Sequence, residues 1–111
     1  MAKRALLATR DLLFRAKLGA VVTVAGGQVT KDEAACDLVV LEIGTPGIEA
    51  RVRALVGRGI PVLAFGSHVN VAGLRAAREA GAVAVPNSQV EATVGDMVRG
   101  GGEAARSGSG N

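Results

Sequence analysis

Few side chains in this sequence have chemical potential, and they lie singly. Carboxylates stand at Asp11, within Thr9-Arg10-Asp11, and at Glu42, which closes an apolar run. Ser67 and His68 are adjacent, Asn87 precedes Ser88, and the one cysteine is Cys36. Acid–base or nucleophilic catalysis needs such groups to converge, with a base within hydrogen-bond reach of a nucleophile. Cys36 would need an imidazole, and the single histidine, His68, is distant in sequence, so Cys36 reads as a small buried hydrophobe. His68 has no second ligand type nearby, which argues against a metal centre. Gly26-Gly27 follows an apolar run but lacks the rest of a dinucleotide fingerprint, and no phosphate-binding P-loop pattern occurs. Thr45-Pro46-Gly47 reads as a turn.

Composition narrows the classes further. The 111 residues suit one domain. The chain is 49% hydrophobic, mostly Ala, Val and Leu, with two Phe and no Trp or Tyr, so stacking of bases or sugars on aromatic rings is nearly excluded. Net charge is +3 and the pI is near 9.8. The basic residues are dispersed, whereas a nucleic-acid domain shows a clustered stripe, so nucleic acid is not the expected partner. One cysteine rules out a disulfide within the chain. No apolar run is long enough to cross a membrane and no signal peptide is visible, so a cytoplasmic protein is expected.

Something must position those groups, and the patterning indicates what. Residues 5–8 form a short apolar run, read as strand one. Thr9 or Asp11 caps a short helix carrying Leu12, Leu13, Ala16 and Leu18, and Gly19 ends it. The β-branched residues 20–25, bounded by glycines, read as strand two. Thr30-Lys31-Asp32-Glu33 has the spacing of a capping box and should start a second helix that ends near Cys36. Residues 37–43 are the clearest strand, apolar without alternation, as in a sheet covered on both faces. Ile48, Val52, Leu55 and Val56 fall on one helical face, stopped by Gly57 and Gly59. Residues 60–65 form strand four. Asn70 caps a helix with inner face Val71, Leu74, Ala77 and Ala80, ended by Gly81. Residues 82–85 are strand five. After a Pro86-Asn87-Ser88 turn, Val90, Val94, Met97 and Val98 line a last helix.

The order is βα repeated five times. That predicts a flavodoxin-like three-layer α/β/α sandwich around a five-stranded parallel sheet of order 2-1-3-4-5. The domain is expected over residues 1–99, with a flexible Gly/Ser-rich tail over 100–111. Sites in such folds lie at the carboxyl ends of the strands.

At those ends a family resemblance emerges. Asp37-Leu-Val-Val-Leu-Glu-Ile-Gly-Thr-Pro46 resembles the third strand of the receiver (CheY-like) domains of two-component response regulators, roughly D-L-V-L-L-D-x-x-x-P. Residues 59–68 look like the family's fourth strand, and residues 74–82 like its junction into strand five. The resemblance implies that Glu42 stands at the phosphoacceptor Asp, that Arg10 and Asp11 replace the paired acids that hold a magnesium ion, that Gly66 or Ser67 takes the switch hydroxyl position, and that Asn87 stands for the lysine. Glutamate is one methylene longer than aspartate, which displaces its carboxylate from in-line geometry. Together these departures imply a degenerate pocket, a pseudoreceiver. A sharper expectation pairs Glu42 with Arg10, as a built-in mimic of the phosphorylated state.

The reading is therefore a stand-alone receiver-like signalling protein, a binding module and not an enzyme, with no cofactor, and with magnesium only if the pocket still works. The family's usual interaction face would include Arg75, Arg78, Glu79, Val83 and Gln89, facing a protein partner or a second copy. Two alternatives stay open: an atypical receiver still phosphorylated in a phosphorelay, and a small flavodoxin-like ligand-binding protein.

Overall fold

Four short apolar runs and the polar-flanked segment Gln28–Thr30 become five parallel strands in the computed structural model, which describes residues 2–100. The elements are β1 (Arg4–Ala8), α1 (Leu12–Val24), β2 (Gln28–Thr30), a 3₁₀ turn (Glu33–Ala35), β3 (Leu38–Glu42), α2 (Ile48–Gly57), β4 (Val62–Gly66), α3 (Val71–Glu79), β5 (Val83–Pro86), a second 3₁₀ turn (Asn87–Gln89) and α4 (Val90–Val98). The sheet order is β2-β1-β3-β4-β5, as the βα pattern predicts. Beyond Gly100, the expected tail lies outside the described residues.

Successive strand residues point to opposite faces of the sheet, so β1, β3, β4 and β5 each feed two cores, while the edge strand β2 feeds neither. Ala5, Leu7, Leu38, Val40, Leu63 and Phe65 pack under α1 and α4. Val39, Leu41, Val62, Ala64 and Ala84 pack under α2 and α3. The chain's two phenylalanines meet in the first core, with the Phe14 and Phe65 rings 5.3 Å apart and tilted by 46°. Cys36 is buried in the second core and its thiol donates to the Glu33 carbonyl at 3.3 Å. Burial pushes that thiol's pKa up, which leaves it a poor nucleophile.

The second βα unit departs from the sequence reading. Residues 20–25, expected as strand two, form the last turns of α1 and its cap, and β2 lies at Gln28–Thr30. Phe14, Leu18, Val21 and Val22 recur at helical spacing and lie against the first core, so tertiary burial overrides the β preference of the valines. Leu12 and Leu13, two of the apolar residues the sequence assigns to this helix, are 72% and 66% exposed. Asp11 caps the helix, its Oδ1 accepting from the Leu13 and Phe14 amides at 2.9 and 3.1 Å. Gly19 does not end it. The stop is Gly26 at φ +92°, whose amide bonds the Thr23 carbonyl while the Gly27 amide bonds that of Val22. This is a Schellman closure. Gly27 has its own reason to be glycine: a Cβ there would lie 2.7 Å from Val98 Cγ1 and 2.9 Å from the Lys3 carbonyl.

The helix expected from Thr30 is only the 3₁₀ turn Glu33–Ala35, capped by Asp32, whose Oδ1 accepts from the Ala34 amide. The link between β2 and β3 spans residues 31–37, too short for a helix that must also return to the far end of the sheet. Arg51 on α2 bonds Glu33 at 2.8 Å and holds that link down. Among the described residues, four α-helices therefore surround the strands instead of five.

Candidate functional site

The carboxyl ends of β1, β3 and β4 carry the groups of interest. Register sets Ala8 opposite Leu41, Glu42 opposite Phe65, and Gly66 opposite Pro86. Glu42 thus projects from the end of the central strand, beside the segment leaving β1.

Thr9 is the hub of that corner and the one buried polar residue among those described, 4% exposed. Its hydroxyl donates to Glu42 Oε1 at 2.6 Å and accepts from the Asp11 amide at 3.2 Å. Its carbonyl accepts from Arg15 Nη2 at 2.7 Å. The carboxylate on β3 is therefore tied, through one hydroxyl, to the cap of α1. Thr45 adds a longer bond at 3.3 Å from its hydroxyl to the Glu42 carbonyl.

Arg10, Asp11 and Glu42 line one open hollow of about 450 Å³ with the loop from Ile43 to Pro46. The fold thus brings together three residues that the sequence assigns to one pocket. It does not pair Arg10 with Glu42. The ion pairs among the described residues are Arg4–Asp37, Arg51–Glu33 and Arg99–Asp96, and Glu42 bonds Thr9 instead. The physical reason is position: Thr9 is buried directly beside the end of β3, whereas Arg10 is exposed. Asp11 has committed one oxygen to capping α1 and Glu42 one to Thr9. No cluster of three or more His, Cys, Asp or Glu side chains among the described residues could hold a metal ion. Each carboxylate keeps one oxygen free, and Arg10 on the same hollow sets a cation against any divalent ion there.

Gly66 ends β4 and is buried. A Cβ built there would collide with the Ile43 side chain, which occupies the gap between the ends of β3 and β4. Ser67 does not line the hollow: it is exposed, and its Oγ accepts from the Val69 amide at 3.3 Å within its own loop. Asn87 is exposed at the start of a 3₁₀ turn and does not line the hollow. His68 is exposed on the same loop as Ser67.

The expected interaction face is largely open. Arg75, Glu79 and Gln89 are exposed and Val83 is 48% exposed. Arg78 has a structural task as well, donating to the Ala84 carbonyl at 2.8 Å on the outer strand β5. Sequence reasoning missed Thr9 as a partner of Glu42 and Ile43 as a plug. The available signals were a hydroxyl directly after strand one and a branched aliphatic where the chain leaves strand three for a solvent-facing turn.

No protein-family model matches the chain, and no curated protein matches it in sequence. Solved structures do match in shape. NtrX from Brucella abortus superposes with a TM-score of 0.74 at 18% identity over 98% of this chain, which spans 29% of the NtrX chain. A CheY-like protein, TadZ, from Pseudomonas aeruginosa gives 0.69 at 17% identity, covering 90% of this chain and 99% of that one. The chemotaxis response regulator CheY4 of Vibrio cholerae gives 0.70 at 13%, covering 89% and 98%. The fold is that of a CheY-like receiver domain.

Proposed function

We propose that this chain is a receiver-like signalling protein that works as a protein–protein interaction module, with a pocket no longer built for phosphoryl transfer. The observation that carries this reading is the pair of contacts at the strand ends: Thr9 holds the Glu42 carboxylate, and Ile43 fills the space over Gly66. Phosphoryl transfer to a carboxylate needs neutralising charge and donors arranged around the incoming oxygens. Here one carboxylate oxygen is already bonded, the cation position offers Arg10, and the place for a switch hydroxyl is closed. The Thr9–Glu42 bond ties β1 to β3 in one geometry, which suits a fixed binding surface better than a two-state switch. No cofactor is needed for such a role. No helix among the described residues is long and apolar enough to cross a membrane, and a cytoplasmic setting fits the reading.

The test is a pair of amide-correlation NMR spectra with and without magnesium and beryllofluoride, a phosphoryl analogue. The expected result is no localised shift at residues 9–11, 42–47, 66–70 and 86–88. Saturable shifts confined to those residues would overturn the reading and make the chain a phosphorylation-controlled receiver.

A further inference from the structure

The solvent side of α1 lacks what a surface helix normally carries. On a small domain the face turned away from the core is charged or polar. On α1 the outward residues are Leu12, Leu13, Ala16, Ala20, Thr23 and Val24, all exposed, with Leu12 at 72%, Leu13 at 66% and Val24 at 84%. At 3.6 residues per turn they share an arc of roughly 120°. The Thr23 hydroxyl donates to the Gly19 carbonyl at 3.0 Å, so it seeks no outside partner. The helix's two charges, Arg15 and Lys17, border the arc, and Arg15 is drawn back to the Thr9 carbonyl.

α4 packs alongside α1, close enough that a Cβ on Gly95 would lie 3.4 Å from Val21 Cγ1. Its exposed residues are Glu91, Ala92 and Asp96. Of their own residues α1 holds two cations and no acid, and α4 two acids and no cation. The C-terminal half of α4 also meets two cations, Lys3, which donates to the Met97 carbonyl at 3.1 Å, and Arg99, which lies against Gly95. Among the described residues, Glu91 at the start of α4 is thus its acid without a cation bonded to it. Asp96 meets Arg99, just past the helix end, only at 3.5 Å in an exposed pair, which binds it weakly.

We propose that a second copy of this chain covers this face, with α1 of each copy lying over α4 of the other about a two-fold axis. A two-fold interface must be self-complementary, and here the apolar arc bordered by Lys17 and the acidic start of α4 at Glu91 lie side by side on one molecule. An α1-on-α1 contact would instead oppose the lysines. The chain's own residues 101–111 are a poor cover, since Ala104 and Ala105 are their only apolar side chains. α1 is about 20 Å long, α4 about 14 Å, and each about 10 Å wide, so the face measures roughly 350 Å² in projection. Stable interfaces bury about 800 Å² per partner, so the dimer is weak and concentration-dependent. The inference rests on the reading of this chain as a binding module, but not on the state of its pocket.

Sedimentation equilibrium of the full chain, loaded from roughly 10 to 500 µM, tests it. The expected result is a monomer shifting to dimer across that range. Leu13→Asp and Val24→Asp, both at exposed positions, should each weaken dimerisation at least about tenfold while far-ultraviolet circular dichroism stays unchanged. Lys17→Glu should weaken it, and adding Glu91→Lys should restore part of the loss. Val83→Asp, on the opposite edge of the sheet, should leave it unchanged. A monomer throughout, a dimer indifferent to both Asp variants, no rescue by the charge swap, or a dimer lost with Val83→Asp would each overturn this arrangement. The beryllofluoride spectra read the pocket separately, so either proposal can fail without the other.

Discussion

Replacing Thr9 with Val keeps the shape of the side chain and removes its hydroxyl, so the substitution isolates the corner on which the site depends. Two bonds are lost, the 2.6 Å bond to Glu42 and the 3.2 Å bond from the Asp11 amide. A hydrogen bond to a charged group contributes about 1.5–3 kcal/mol. The low end applies, because Glu42 is half-exposed and water can replace part of the bond. The longer amide bond adds about 0.5 kcal/mol. Thr9→Val should therefore cost about 2 kcal/mol. With a urea m-value of about 1–1.5 kcal/mol/M for a chain of this size, the midpoint should fall by about 1.5 M. In a Glu42→Leu background the charged acceptor is gone and the same substitution should cost only about 0.5–1 kcal/mol, a coupling of about 1 kcal/mol or more. Urea unfolding followed by far-ultraviolet circular dichroism is the assay, since the chain has no Trp or Tyr to report by fluorescence. A cost below about 0.5 kcal/mol, or an equal cost in both backgrounds, would refute the Thr9–Glu42 tie as a structural element.

Three further outcomes are expected. Gly66→Ser should destabilise by about 1–2 kcal/mol as the half-exposed Ile43 side chain is forced aside, and by less than about 0.5 kcal/mol when Ile43 is also Ala; equal costs in the same unfolding assay would remove Ile43 as the plug. The Arg4 amide, helped by the Arg4 guanidinium, holds the Asp37 carboxyl below its usual range. Its contribution is thus present above the unfolded carboxylate pKa of about 3.9 and lost as pH falls through the lower folded value, and the 40% exposure of its side chain keeps it small. Asp37→Asn should cost about 0.5–1 kcal/mol near neutral pH and converge on the parent chain in acid, measured as thermal midpoints against pH. Arg78→Ala should cost about 1 kcal/mol by freeing the Ala84 carbonyl, and should raise light scattering because it uncovers the edge of β5; unchanged scattering and stability would show that Arg78 does not protect that edge.

Most of the architecture was legible because burial wrote it twice, in composition and in punctuation. Residues 38–41 are apolar without alternation, and with Glu42 they form the central strand, covered on both faces. Gly59 and Gly81 were read as helix stops, and both have positive φ beyond α2 and α3. The run at 20–25 misled because valine and threonine favour strands locally, while the signal that decides, Leu18 and Val22 four apart on one stripe, requires knowing that the helix continues through Gly19. The capping-box spacing at Thr30 misled for a related reason: the Thr30 hydroxyl accepts from the Asp32 amide two residues on, and a polar turn takes the place of a helix. At the site, positions were legible and partners were not. Strand register put Arg10, Asp11 and Glu42 around one hollow, but which group reaches a carboxylate depends on side-chain depth, which periodicity does not encode.

The resemblance to receiver domains implies a pocket short of polar groups: no hydroxyl at Gly66, no lysine at Asn87, a cation at Arg10. The geometry adds occupancy to absence. If only the groups were missing, single substitutions would begin to restore them. Yet a side chain at Gly66 meets Ile43, and an aspartate at position 42 would give up the bond that Thr9 now supplies. On the proposed reading, each departure from the receiver pattern is coupled to a residue that fills the space or holds the bond. The residues that must change together are therefore Ile43 with Gly66, and Thr9 with Glu42. Neither pair includes the charged groups that first draw attention to the site.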